Sequence, residues 1–343
     1  MLPPLANEAV APVITIRPFR DHDKAALYDM LAEVWPGETP EQHDRRWWWG
    51  VKEMPLWLAL DDDGVVAGMC GHIPFVAHAA GADIRGAWIV DFFVSQRFQG
   101  QGLGKRLVRA IGENFSFLAS LNQTDAAYAT FSRSGWTERQ IVPLMIAASP
   151  RAYRVATTFR RTGGVAVQRG PVVFGDEFDA FWSTASQSVV AAVRDRAALA
   201  ARFTDSAREY HLLRASRGGV LAGYLVLRVL PPGSIRSFSR FSIVMVSDYL
   251  VPPEQTDVFA GLMREATRFA TEQRIRFVLC MSTHPSHQRA LAAGGFLWHR
   301  TPLVGDRLRK LAVGFTATPT SPSGHWHLTP FDCDLDILFG GCK

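Results

Sequence analysis

Apolar and polar positions along the chain repeat in one order. Pro55 to Leu60 is an apolar run, Asp61 to Gly64 a polar turn, and Val65-Val66-Ala67-Gly68 resumes the apolar pattern. Tyr210 to Ala215, then Ser216 to Gly219, then Val220 to Tyr224 read the same way. Each is a strand, a tight turn ending in glycine and a second strand, which predicts a β-hairpin. An Arg-aromatic pair precedes each hairpin: Arg46-Trp47 and Arg202-Phe203. Downstream, Ile89–Val94 and Val246–Val251 read as strands with the same spacing, Asp91 to Val94 and Asp248 to Val251. Helical periodicity follows in both. Leu107, Val108 and Ile111 mark one helix, over Lys105 to Asn114; Phe259, Leu262, Met263, Ala266 and Phe269 mark the other, over Phe259 to Thr271. A strand comes next, Phe115 to Leu121 and Arg276 to Met281, then a short helix closed by Gly135-Trp136 or Gly295-Phe296. Glycine stops a helix there because it takes the left-handed conformation without steric cost.

Hairpin, strand, helix, strand, helix, strand, occurring twice, predicts a mixed α/β fold with a central sheet and flanking helices in each of two copies. The 343 residues accommodate two domains. The boundary is expected near Pro150 to Gly170, giving domains 1–155 and 156–343. With 48% apolar and 20% charged residues the composition is that of a soluble globular protein.

No apolar run approaches the ~18 residues of a membrane helix. The first residues lack the basic start and continuous apolar core of a secretory signal. Cys70, Cys280, Cys333 and Cys342 have no metal-ligand spacing and read as reduced thiols of a cytoplasmic protein. The net charge of +5 comes mostly from dispersed Arg. That balance attracts phosphates, including those of a nucleotide cofactor, and no clustered basic helix points to nucleic acid.

The strongest local signal is Gln99-Gly100-Gln101-Gly102-Leu103-Gly104, followed by Lys105 and Arg106, between a predicted strand and a helix. Bare glycine backbone lets successive N–H groups converge on an anion, and the helix start adds unpaired donors and the positive end of its dipole. Such a loop suits a pyrophosphate. A flexible turn would need no ligand. Dinucleotide folds place a similar loop after their first strand; here it follows an antiparallel hairpin.

These residues resemble the GCN5-related N-acetyltransferase (GNAT) superfamily. Its signature is Gln or Arg, two residues, Gly, one residue, then Gly or Ala, at a strand-to-helix junction. Gln99, Gly102 and Gly104 occupy those positions, and Val94 matches the strand residue before the loop. The resemblance covers Ile14 to about Ala148; the second copy resembles the fold by element order, as in the tandem two-domain type. It implies an acetyl-CoA site. The pyrophosphate would sit on Gly100, Gln101, Gly102, Leu103, Gly104 and Lys105. The pantetheine arm would pair with Phe92, Phe93 and Val94, with the thioester carbonyl facing an N–H near Val94, and Asn122 would bond the arm's amides.

Asp91, on the central strand, is the candidate general base, with a structural carboxylate as the other reading. The family's thiolate-protonating Tyr is replaced here by Phe131, so Tyr128, one turn earlier, is the candidate acid, with ordinary packing as the alternative. Trp47, Trp48 and Trp49 fall where the family's acceptor pocket is lined, and Trp48 and His72 are taken as substrate-binding residues; His78 lies on the same strand. Thr124 or Asp125 reads as a helix cap. In the tail, His325, Trp326, His327 and Asp332 read as a cap on the second sheet, with a reach into the first domain's cleft as the other reading. No metal site is expected. The resulting expectation is an acetyl-CoA-dependent N-acyltransferase acting on a primary amine of a small molecule (amino sugar, amino acid or polyamine), with no nucleic-acid or membrane partner. The alternatives are a peptide or protein N-acetyltransferase and a non-catalytic acetyl-CoA sensor. The second copy, whose corresponding stretch Val251 to Asp257 has no glycine and two prolines, is expected to bind no CoA.

Overall fold

The computed structural model describes residues 13–41, 43, 55–79, 81–121, 123–142, 144–148, 163–204, 208–235, 238–298, 309–315 and 326–332. The chain divides into two compact units, residues 1–73 with 89–114, and residues 74–88 with 115–343.

The first unit contains β1 (Thr15–Pro18), α1 (Lys24–Val34), β2 (Leu56–Leu60), the start of β3 (Val66–Ala79), the end of β4 (Ala82–Val94) and α2 (Leu103–Gly112). β1 pairs antiparallel with β2, and β2 with β3. The hairpin turn is built by the Asp61 carboxylate, which accepts from the N–H groups of Asp63 and Val65 at 3.1 and 2.9 Å, with Gly64 at φ +79°. Leu27, Met30 and Leu31 of α1 pack on Leu58, Leu60, Val66 and Met69. α2 buries its periodic stripe, Leu103, Leu107, Val108 and Ile111. It begins two residues before the expected start because the left-handed Gly102 supplies its N-cap, and the carbonyl of Gly102 accepts the first helical bond, from Arg106 at 3.2 Å.

In the second unit, β4 pairs parallel with β5 (Phe117–Leu121), from Gly86–Phe117 to Trp88–Ala119. Gly86 leaves no room for a side chain against the Phe117 ring. After β5 come α3 (Asp125–Arg133), β6 (Thr137–Val142), β7 (Leu144–Ala147), β8 (Val165–Gly170), α4 (Asp176–Ala185), β9 (Ala191–Ala192), α5 (Arg196–Phe203), β10 (Tyr210–Arg217), β11 (Val220–Leu230), β12 (Ile243–Leu250), α6 (Thr256–Glu272), β13 (Phe277–Met281), α7 (Pro285–Ala293), β14 (Leu297–Trp298) and β15 (Arg309–Phe315).

A seven-stranded mixed sheet runs β14-β7-β13-β12-β11-β10-β8, with β12 and β13 parallel. Its core is the α6 face, including Phe259, Leu262, Met263 and Ala266, against Leu213, Leu225, Val244 and Cys280. Two strands sit in sheets distant from their sequence neighbours: β7 pairs with β13, and β15 pairs with β5 and β6. Both short helices stop as the pattern predicts, with Gly135 and Gly295 at φ +84° and +87°. Thr124 caps α3, its hydroxyl accepting from the Ala127 N–H at 3.2 Å.

Candidate active site

β4 does not end as a regular strand. Asp91 has φ +45°, one of two non-glycine residues with positive φ among those described. An L-residue there is strained by on the order of 1 kcal/mol, which surrounding structure must offset. The β4–β5 ladder closes at Trp88–Ala119, so this kink lies beyond the pairing of β4 with β5. The half-buried Asp91 acts on Cys70: burial first, then the Asp91 charge, pushes that thiol far above its usual value and leaves it protonated. His72 is 5% exposed. Burial pulls its pKa down to about 4, the Pro55 carbonyl working weakly the other way, so its ring is neutral at pH 7.

After Val94 the chain turns sharply. The Ser95 N–H donates to the Ala67 carbonyl at 3.0 Å, and its hydroxyl donates to Glu33 of α1 at 3.0 Å. A short turn, Gln96–Phe98, buries Phe98 as an anchor. The Gln99 amide donates to the Val94 carbonyl at 3.1 Å, so this signature side chain staples the loop to the strand end. Gly100 and Gly102 stand at φ +79° and +72° with no atom within 4 Å of where a Cβ would be. The first intrahelical bond comes from Arg106, so the N–H groups of Leu103, Gly104 and Lys105 lie ahead of the ladder, and no side chain caps them. Arg97, Lys105 and Arg106 are exposed around this turn. Chemically, the arrangement presents an uncapped helix start, bare glycine backbone and three cations: an anion cradle.

His72, Asp91, Phe92, Phe93, Val94 and Gln99 to Lys105 therefore fall in one unit. Tyr128, partly buried on α3, belongs to the other. Phe131 is buried and stacks on Trp136 with centroids 4.4 Å apart, which makes it a core residue. Asn122 and Trp47, Trp48 and Trp49 lie outside the described residues. The His78 Nδ1 is 2.7 Å from Asp83. Among the described residues no group of three His, Cys, Asp or Glu side chains is placed to hold a metal, and no helix is long and apolar enough to cross a membrane.

In the second copy Asp248 stands where Asp91 stands in the first, but it is fully buried and does not have positive φ. Arg194 donates to it at 3.1 Å, Tyr224 at 2.7 Å and Thr329 at 2.6 Å. Arg194 also bonds Asp332 at 2.6 Å. Burial opposes the Arg194 charge, but the two carboxylates outweigh it and raise its pKa; burial pushes the Tyr224 hydroxyl and the Asp332 carboxyl up. Arg194, 54 residues from Asp248 in sequence, carries no local motif that would have revealed it.

Residues 24–136 match the profile of the acetyltransferase (GNAT) family. Among curated proteins no relative matches the sequence. Solved structures share the fold. A probable N-acyltransferase from Enterococcus faecalis aligns with TM-score 0.60 at 10% identity, covering 89% of this chain and 73% of that one. A GCN5-related N-acetyltransferase from Anabaena variabilis gives 0.59 at 10% identity, with 88% and 72% covered. A tandem GNAT protein from the clavulanic acid biosynthesis pathway gives 0.50 at 13% identity, with 90% and 100% covered.

Proposed function

We propose that this chain, whose residues 24–136 match the GNAT acetyltransferase family profile, transfers an acetyl group from acetyl-CoA to a primary amine of a small molecule. The observation that carries the reading is the turn at Gly100 to Lys105, where bare glycines meet an uncapped helix start. A pyrophosphate there gains N–H donors, the helix dipole and the nearby cations. With the phosphates fixed, the acyl arm runs along Phe92 to Val94, beside the kinked Asp91.

Asp91 is the proposed base. It takes a proton from the acceptor ammonium, freeing the nitrogen lone pair. Nitrogen attacks the thioester carbon, a C–N bond forms, and the oxyanion is stabilised by backbone N–H near Val94. Collapse breaks the C–S bond, and the nitrogen's second proton passes to the departing thiolate, releasing CoA as its thiol. A thiol of pKa about 8.5 is a competent leaving group without an acid.

The test is thiol release from acetyl-CoA with a panel of amino sugars, amino acids, polyamines and peptides. Release that depends on a small amine supports the reading. Binding of acetyl-CoA without release with any amine refutes the enzyme in favour of a sensor. Asp91→Asn is expected to lower kcat by about 100-fold or more and to remove the acidic limb of the pH–rate profile, with CoA affinity retained. A retained limb removes Asp91 as the base.

A further inference from the structure

Trp326 to Pro330 and Asp332 are buried, and the partners of this segment define where it lies. β12 and β13 pair only from Ile243–Phe277 to Val246–Cys280; beyond that, Ser247 to Leu250 of β12 have no bridge to β13. The segment bonds both sides of this opening. The His327 Nε2–H donates to the Tyr249 carbonyl at 2.6 Å, and the Thr329 hydroxyl donates to Asp248 at 2.6 Å, both on β12. The Leu328 N–H donates to the Thr283 hydroxyl at 3.2 Å, just past the end of β13. Its ends are pinned: the His327 N–H donates to the Val190 carbonyl at 2.7 Å, and Asp332 pairs with Arg194. Leu328 and Thr329 are fully buried.

In the first copy β4 likewise continues beyond its last pair with β5. Tyr249, Leu250 and Val251 correspond to Phe92, Phe93 and Val94, the residues proposed for the acyl-CoA arm. Thr283 corresponds to Gln123, next to Asn122. We infer that Trp326–Asp332 is a built-in peptide occupant of the second copy's groove, lying where the first copy takes the acyl-CoA arm, so that this groove is satisfied in cis and accepts no ligand. The inference rests on the acyl-CoA reading of the first copy. It adds a positive reason for one CoA per chain beyond the lack of glycine in the second loop: the strand-edge carbonyl and the Asp248 carboxylate are already bonded.

Hydrogen exchange by mass spectrometry on the full chain, with and without CoA, tests it. Without CoA, residues 247–250 and 327–332 are expected to exchange at least about 100-fold more slowly than unstructured peptide. Saturating CoA should slow residues 95–105 and leave both of those segments unchanged. Unprotected exchange at 327–332, or a response of 327–332 to CoA, overturns the inference. No response at 95–105 with 327–332 still protected overturns the acyl-CoA reading and leaves the segment's lodging in place. Thr329→Val keeps the side-chain shape and removes the bond to Asp248, so exchange at 327–332 should rise about tenfold or more with the 95–105 response intact; an unchanged rate counts against the inference. If that variant does not fold, the wild-type comparison alone decides.

Discussion

The two copies share a scaffold and spend it differently. Gly68 and Gly223 occupy matching hairpin positions, and each is a glycine for the same reason. A Cβ at Gly68 would meet the Phe93 carbonyl and Leu107 Cδ1, both at 3.1 Å; one at Gly223 would meet the Leu250 carbonyl at 3.2 Å and Val251 Cγ2 at 2.9 Å. Strand and helix press equally close in both. The divergence begins just beyond. Ser95–Gly102 joins β4 to α2 with glycines in the left-handed conformation, whereas the shorter Val251–Gln255 joins β12 to α6 through Pro252 and Pro253. At the second helix start Asp257 pairs with Arg217, and Ser286 donates to the Pro253 carbonyl at 2.7 Å. The aspartate of the first copy is kinked, whereas its counterpart in the second is bonded to Arg194, Tyr224 and Thr329.

The largest effect should come from breaking the second copy's network. Arg194→Met removes the only cation bonded to the buried Asp248 and Asp332 among the described residues. Leaving buried carboxylates without their cation costs about 3–5 kcal/mol. Urea denaturation should show that loss, while CoA titration of the folded variant stays near wild type. Unchanged stability would refute the network's role.

Next in size is the first copy's loop. Gly102→Glu adds a side chain where φ is +72° and a negative charge at the helix start. Calorimetric titration should show CoA affinity falling by about 100-fold or more, close to 2.7 kcal/mol. Wild-type affinity in a folded variant would remove the loop as the phosphate site.

A third contrast is with pH. Burial pulls the pKa of His287 down to about 3, and its ring stacks on Phe259 at 4.4 Å. In the unfolded chain it titrates near 6.5. Above that pH both states are neutral and the group contributes no slope. As pH falls below 6.5 the unfolded state gains a proton that the folded state refuses, so stability drops by about 1.4 kcal/mol per pH unit, or about 2 kcal/mol by pH 5. His287→Leu should flatten that part of the curve, since the Tyr249 hydroxyl keeps Ser282 at 2.8 Å. His327, whose pKa is also lowered by burial, leaves a residual slope of the same sign. An unaltered slope in the variant would show that His287 does not carry the effect.

What the sequence made legible was local. The hairpin turns, the glycine stops and the stripe of α2 all follow from backbone preference and periodicity, which neighbours in sequence decide. Partnership across long separations was not legible. Nothing in Leu144–Ala147 announces pairing with β13, nor in Arg309–Phe315 pairing with β5, because a strand pattern states a buried face and not a neighbour. The left-handed Asp91 was hidden likewise, since Asp248 has the same sequence spacing and not that conformation. Trp326 to Asp332 offered a capping role, but its place across β12 and β13 depends on Arg194 and Thr283, far away in the chain.

The smallest expected effect bears most directly on the comparison. Gly68→Ala and Gly223→Ala each insert one methyl into a contact bounded by side chains and by one backbone carbonyl, and the carbonyl does not swing aside as a side chain would. Overpacking of this kind costs about 1–3 kcal/mol, and denaturant midpoints should fall in both variants by similar amounts. Their effects on the ligand should differ. At Gly68 the displaced groups are Leu107 Cδ1 and the Phe93 carbonyl, the latter in the stretch proposed to pair with the acyl arm and next to the Val94 carbonyl that holds the Gln99 staple. CoA affinity should fall severalfold. At Gly223 the displaced groups belong to Leu250, Val251 and Val258, in the copy that carries its own occupant, and CoA affinity should not change. Equal losses of affinity from both substitutions, measured on folded protein, would show that the two copies are not divided into a binding and a non-binding half.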